Sequence, residues 1–461
     1  MSSSDQPSTS VDVSDGSMAV PPQPQLPSSS TMADGPFPPN PLLQQPVASD
    51  AEAIPNEVNT VDDLHIRPDF DYVLGPNDVP PADTSDDDSV LDDASSIASE
   101  AMEDASPATV PMEPPAEDHS VLQLTVHKEP VFAVAVNAAK PEILVTGGGD
   151  DVAHLWHVGQ PAPLARLEGH ADTVSSVGFS ADGSLLATAG LDGAVRVWNA
   201  ATGALVVALD GPTQGINWVC WHTRGQVLLA GSEDATAWMW KLPEGSVMQI
   251  FSAHSASVSY GCFVNAGRGV LTASEDGTVR VWNPRTGTVD HCLHAGPNAH
   301  EPRAVSCLAA HTEQPVFLFG TDMGDLKLAH AESGKLLASL PNHDASVENA
   351  GFCDAAPLAA SCAMDGKLSV WDLGSFTLRH TCVHPAGVIE LRWLKGSPMI
   401  ITCAVSRELR LWDGRSGECL QTLTGHTEPV LCIDIGYTAT DGIYVVSGSD
   451  DKTARVWRPR L

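Results

Sequence analysis

The stretch SGSDDKTARVW, residues 447–457, reads as two short strands joined by a tight turn at Asp450–Asp451. The same phrase recurs upstream: TGGGDDVAHLW ends at Trp156, TAGLDGAVRVW at Trp198, AGSEDATAWMW at Trp240 and TASEDGTVRVW at Trp282. SCAMDGKLSVW ends at Trp371 and TCAVSRELRLW at Trp412, while a degenerate copy, FGTDMGDLKLA, carries Ala329 in place of the Trp. From one such position to the next the steps are 42, 42, 42, 47, 42, 41 and 45 residues. One supersecondary unit is therefore used eight times.

This period is that of WD40 repeats, in which each repeat supplies the four strands of a propeller blade. The predicted fold is an all-β, eight-bladed propeller. A second landmark, a His, lies 28–31 residues before six of these positions, at His127, His170, His254, His343, His384 and His426. A His, a Ser or Thr ten residues before the Trp, an Asp six before it and the Trp itself are expected to form one hydrogen-bonded chain within a blade. Five repeats hold the full set: His127, Thr146, Asp150, Trp156; His170, Thr188, Asp192, Trp198; His254, Thr272, Asp276, Trp282; His343, Ser361, Asp365, Trp371; and His426, Ser447, Asp451, Trp457. The third repeat has Pro212 for the His, the seventh has Ser406 for the Asp, and the fifth has lost the set. Those three blades are expected to rely on packing alone.

Ser447, His426 and Asp451 are also the residue types of a hydrolase triad. A nucleophilic site is built once, whereas this arrangement recurs five times at nearly constant spacing. Repetition points to architecture, and no catalytic site is assigned.

A final repeat that ends at its third strand leaves an open sheet edge, a template for aggregation. SVLQLTVH, residues 120–127, occupies the place that CLQTLTGH, residues 419–426, takes one repeat earlier. The N-terminal side of the propeller is therefore predicted to supply the missing outer strand and close the ring. Removal of the chain up to residue 115 should be tolerated, and removal up to 128 should leave an aggregating ring.

The repeats divide the chain into a propeller at 120–461 and an N-terminal region at 1–119. The latter is rich in Ser, Pro, Asp and Ala and holds 24 acidic residues against one basic residue, Arg67. From chain totals of 58 acidic and 24 basic residues, the propeller keeps 34 and 23, so the two parts carry −23 and −11 of the net −34. With so few apolar residues to offset the entropy of folding, the tail is expected to be disordered. Within it, residues 62–78 gather Phe70, Tyr72, Ile66, Val73 and Leu74, read first as a solvated linker, with a short linear motif or a segment that docks on the propeller as the alternatives. Val90, Ala94, Ile97 and Ala101 recur at helical spacing, and Ser89, Ser96 and Ser99 sit among acids as candidate phosphorylation sites.

No apolar run approaches the length of a transmembrane helix. The first residues, MSSSDQPSTS, lack the basic start and apolar stretch of a secretory signal. Ten cysteines without a Cys-x-x-Cys pair read as buried thiols in a reducing compartment, the cytoplasm with the nucleus as a second location. TGGGDD lacks the Gly-Lys-Ser/Thr of a phosphate loop. No His or Cys group has metal-ligand spacing, so neither metal nor cofactor is predicted. A net charge of −34 argues against direct nucleic-acid binding, which draws on Lys and Arg.

Protein binding remains, by a monomer. The residue before each Asp position points to one face of the propeller: Gly149, Leu191, Glu233, Glu275, Asp322, Met364, Val405 and Asp450. Four of these eight are acidic and none is basic. Positions after the landmark His add Phe132, Asn217, Glu348 and Leu431. Solvated turn residues would explain any one carboxylate, but together they focus a negative potential on the mouth. The expected ligand is a Lys/Arg-rich segment, and the candidate binding residues are Phe132, Asn217, Glu233, Glu275, Asp322, Glu348, Leu431 and Asp450.

CWHTRGQVLLAGSEDATAWMWKLPEG at 220–245 and GFCDAAPLAASCAMDGKLSVWDLGSFTLRHTCVHPAGVIELRW at 351–393 are similar to the angio-associated migratory cell protein family. The resemblance spans about 120–461 and includes the third repeat with AWMW and the Trp-less fifth. It implies a chaperone role, since fungal relatives escort a basic large-subunit ribosomal protein by its N-terminal segment on the negative propeller face. Animal members are associated with cell migration and angiogenesis, which implies the alternative of a cytoplasmic signalling scaffold. The binding residues of that family form no fixed motif, so the face and its charge carry over and individual identities do not.

Overall fold

The computed structural model describes residues 115, 117–296, 301–438 and 442–460. The candidate motif at 62–78, the helical spacing from Val90 to Ala101 and the three candidate phosphorylation sites lie outside these residues. What is described is an eight-bladed β-propeller of four-stranded antiparallel sheets.

Blade 1 consists of β2 (Val131–Val136), β3 (Ile143–Gly148), β4 (Ala153–His157) and β5 (Ala165–Leu167). The next six blades, β6–β9, β10–β13, β14–β17, β18–β21, β22–β25 and β26–β29, span 174–209, 216–251, 260–294, 305–339, 347–383 and 388–424. The first strand of each blade lies beside the first strand of the next, and that of blade 8 lies beside β2, so eight inner strands form a ring.

Burial follows position in the blade. The second strand is covered on both faces by neighbouring blades, so β7 (Leu185–Gly190) is buried at every residue and shows no alternation. The outer strand β9 (Leu205–Leu209) buries only Leu209 fully. The hydrophobic clusters straddle adjacent blades: Leu144 and Trp156 of blade 1 pack with Tyr444, Val446 and Val456 of blade 8. Burial of side chains this size, at roughly 25 cal/mol per Å² of apolar surface, is the main force joining blade to blade.

Blade 8 has three strands from the C-terminal end, β30 (Val430–Thr438), β31 (Gly442–Ser449) and β32 (Ala454–Trp457), and a fourth, β1 (Leu122–Leu124), from the N-terminal side. The register pairs Leu122 with Val456, Gln123 with Arg455 and Leu124 with Ala454. Leu124 is fully buried against that sheet. Residues before β1 extend the clasp: His119 donates its N–H to the Thr424 carbonyl of blade 7 at 2.8 Å, and Asp118 pairs with Arg455 of blade 8. Inner-strand contacts close the same seam. The Asp434 carboxylate accepts the Val136 N–H at 2.7 Å, and the Tyr444 hydroxyl donates to the Pro141 carbonyl.

In seven blades the inner pair carries a β-bulge immediately after its first residue, as between Val131 and Ala133; blade 4 lacks it. A bulge takes one residue out of the ladder and re-aims its side chain. This device sets the mouth of the ring.

All ten cysteines are unpaired thiols. No helix among the described residues is long and apolar enough to cross a membrane.

Candidate functional site

Two systems meet at the top of the propeller, the networks that fix its turns and the face that those turns present. In blade 8, His426 Nε2 lies 2.7 Å from Ser447 Oγ, the Trp457 indole N–H donates to the same oxygen at 2.8 Å, and His426 Nδ1 lies 2.8 Å from Asp451. Blades 1, 2, 4 and 6 repeat this geometry through Thr146, Thr188, Thr272 and Ser361. Each Asp also accepts the N–H that follows the His, as from Thr427 to Asp451. Burial alone would raise these carboxyls. The bonds from His and from the turn outweigh it and hold Asp276 and Asp451 well below the usual carboxylate range. Ser447 is fully buried and doubly bonded. That leaves its hydroxyl no access to a substrate, as the architectural reading of the repeated set requires.

The three incomplete blades differ from the expectation that packing alone supports them. Blade 7 keeps His384, Thr402 and Trp412 in line at 3.1 Å each, and loses only the Asp, leaving His384 Nδ1 buried with no hydrogen-bond partner among the described residues. Burial and the nearby Arg410 push that imidazole down to about 3. Blade 5 replaces the set with an Arg303–Asp325 ion pair and fills the core with Phe317 and Phe319. Blade 3 fits the expectation most nearly: Ala230 stands where other blades have the hydroxyl, and the buried Trp240 N–H has no partner among the described residues. Asp234 nevertheless still accepts the Thr213 N–H at 2.8 Å.

On the face itself, Glu233, Glu275 and Asp322 are exposed on successive blades 3, 4 and 5, and none enters an ion pair among the described residues. Asp450 is exposed on blade 8, near Lys452, which pairs with Glu129 of blade 1. Gly149 is half-buried beneath Phe132: a Cβ there would lie 3.1 Å from the ring. Phe132 remains 43% exposed, and Glu348 and Leu431 are half-buried.

Asn217, half-buried at the mouth, is also tied into the fold. Its amide donates to Ser257 Oγ at 2.9 Å and to the Val258 carbonyl at 3.2 Å, so it struts blade 3 against blade 4. Ser175, Ser259 and Ser306 do the same for their own blades, each hydroxyl donating to the first inner-strand carbonyl of the next.

Beneath the mouth the inner strands carry charged groups that the repeat period does not reveal. Arg392 pairs with Glu390 at 2.5 Å, and Glu390 Oε2 accepts the Ile433 N–H at 2.7 Å. Burial pushes the carboxyls of Glu390 and Asp434 up, and Arg392 offsets this only in part. Trp218 reaches across to blade 4, its indole N–H donating to the Val258 carbonyl at 3.0 Å. Gly261 makes room, since a Cβ there would lie 2.2 Å from the Trp218 ring. The tandem aromatics of INWVCWH were the available signal.

The structure also gathers His127, Asp150 and His154, their ligand atoms within 4.8 Å of one another, a grouping that linear spacing did not show. Burial drives His154 down to about 4, and its Nδ1 has no hydrogen-bond partner among the described residues. His127, however, already spends both nitrogens on Asp150 and Thr146. A metal here would dismantle the blade's own network, and none is assigned.

Comparison with known proteins supports the same architecture. The chain matches the WD40 family (WD domain, G-beta repeat) over residues 161–199, 203–241, 245–283, 334–372 and 417–458. It is 34% identical to the human angio-associated migratory cell protein over 74% of this chain and 80% of that one. An uncharacterised WD repeat-containing protein of Schizosaccharomyces pombe is 37% identical over 72% of this chain and 85% of its own. Among solved structures, Saccharomyces cerevisiae Sqt1 superposes with a TM-score of 0.70 at 22% identity, covering 75% of this chain and all of that one. Chaetomium thermophilum Sqt1 bound to the N-terminus of the ribosomal protein L10 superposes with a TM-score of 0.68, also at 22% identity, covering 74% of this chain and all of that one. At such identity the likeness to Sqt1 establishes the fold. The extent and level of identity to the human protein establish more: this chain belongs to the angio-associated migratory cell protein family.

Proposed function

We propose that this protein is a non-catalytic binding propeller that escorts a basic large-subunit ribosomal protein during ribosome assembly, holding a Lys/Arg-rich segment across its mouth. The observation that carries this reading is the run of Glu233, Glu275 and Asp322 on three successive blades, exposed and without ion-pair partners among the described residues. Carboxylates so arranged attract a cationic segment and shield it from RNA, and they do so less at high salt. The Chaetomium thermophilum neighbour, solved with the N-terminus of a ribosomal protein, supports the same kind of ligand. An acidic tail at 1–119 ahead of a monomeric propeller at 120–461, acting in the cytoplasm and the nucleus without binding nucleic acid directly, completes the proposal.

The test is capture from cytosol by the full chain at low and high salt, followed by mass spectrometry. Enrichment of one large-subunit ribosomal protein, weakened by salt, is the expected result. Recovery of signalling or cytoskeletal proteins indifferent to salt would replace the escort with a scaffold for cell migration.

A further inference from the structure

The mouth is not uniform around its circumference. Blades 2 to 5 tie their mouth residues into struts, through Ser175, Asn217, Ser259 and Ser306. The corresponding residues of blades 6, 7, 8 and 1 are Glu348, Ile389, Leu431 and Phe132. Three of these four are apolar side chains with no strut to make. Turn residues follow this division on blades 3 to 6, while Leu191 on blade 2 is an exposed apolar side chain and Asp450 on blade 8 an exposed carboxylate. Glu233, Glu275 and Asp322 stand on blades 3 to 5, whereas blade 6 presents Met364, 46% exposed, lying over Gly387 with its sulfur 2.9 Å from where a Cβ would be. On the second half Asp344 and Glu129 are paired, with Lys367 and Lys452, while Asp450 is exposed and Glu348 half-buried.

We infer that the mouth has two unlike halves, an acidic arc on blades 3–5 for cationic side chains and an apolar arc of Met364, Ile389, Leu431 and Phe132 that seats a bulky apolar side chain of the same segment. The partner is thus a basic segment with an apolar anchor, rather than a polycation. This inference rests on the mouth being the binding site, as proposed above. Charge commits the occupant: three unpaired carboxylates beside an apolar surface complement a chain that carries both features, while a purely apolar partner would leave the carboxylates desolvated and unmatched.

The test uses the full chain and two synthetic arginine-rich peptides that differ only in a terminal Leu or Ser. Fluorescence anisotropy is expected to show the Leu peptide binding about tenfold more tightly. That advantage should vanish in Phe132→Ser and in Met364→Ser, with the salt dependence retained. Glu275→Gln with Asp322→Asn should weaken both peptides alike and flatten the salt dependence. Met364→Ser changes an exposed side chain, so it keeps the test alive if Phe132→Ser lowers the thermal midpoint. Equal affinity for the two peptides in the unaltered protein would overturn the bipartite mouth and leave the escort reading standing. A Leu advantage that survives both apolar substitutions would also overturn it. Failure of both peptides to bind at low salt would remove the escort reading beneath it.

Discussion

Asp118 and Arg455 stand 337 positions apart in sequence and meet at 2.5 Å, in the seam where the N-terminal side of the propeller closes on the C-terminal side. Arg455 is 5% exposed and belongs to β32, the strand that β1 covers. The ion pair therefore locks the closing strand from outside while Asp434 and Tyr444 lock the inner seam. Shortened chains should separate these contributions. Removal of residues 1–115 is expected to leave the unfolding midpoint near that of the full chain. Asp118→Ala should lower stability by about 1 kcal/mol, because a buried guanidinium loses its carboxylate while the half-exposed Asp contributes only a screened charge. Removal up to residue 128 takes away β1 and exposes the β32 edge, and light scattering should then report aggregation. A monodisperse product from that last truncation would contradict closure by β1.

The networks give a prediction in each direction. Asp192→Ala breaks bonds to His170, Ala171 and Ala194 and should destabilise by about 1–3 kcal/mol with ligand preference unchanged. Ala230→Ser supplies the acceptor that Trp240 lacks and should stabilise by about 1 kcal/mol. Urea unfolding midpoints measure both. A destabilised Ala230→Ser would mean that the hydroxyl finds no geometry at that indole.

Acid should act through the buried histidines that hydrogen-bond to no carboxylate among the described residues. Folding holds His384 at about 3 and His154 at about 4, both lowered from 6.5. Between 6.5 and those values the unfolded chain takes up protons that the folded chain refuses, so stability falls as pH is lowered through this range. Ser406→Asp gives His384 the partner present in five other blades and should reduce the loss between pH 7 and pH 5. Identical pH dependence in the two proteins would remove His384 as a source of acid sensitivity.

Charge reversal tests the face. Glu275→Lys with Asp322→Lys should abolish binding of an arginine-rich peptide while the thermal midpoint and circular dichroism stay as they were, since both side chains are exposed. Normal binding by this variant would move the ligand off blades 4 and 5.

The sequence by itself determined the repeat. A period near 42 residues, the turn at each Asp and the His-to-Trp spacing fixed eight blades, the five networks and the closing strand, because each is a local pattern or a pattern held at constant offset within one repeat. The acidic character of three adjacent turns was legible for the same reason. Tertiary structure alone decided what passes between blades. Trp218 seated in the space left by Gly261, Glu390 bonded to Ile433, Asn217 turned into a strut and the division of the mouth into unlike halves all depend on how far one inner strand stands from the next. That distance is set by the ring as a whole, when eight wedges packed through their buried faces must close on a single circle, and no one repeat contains it.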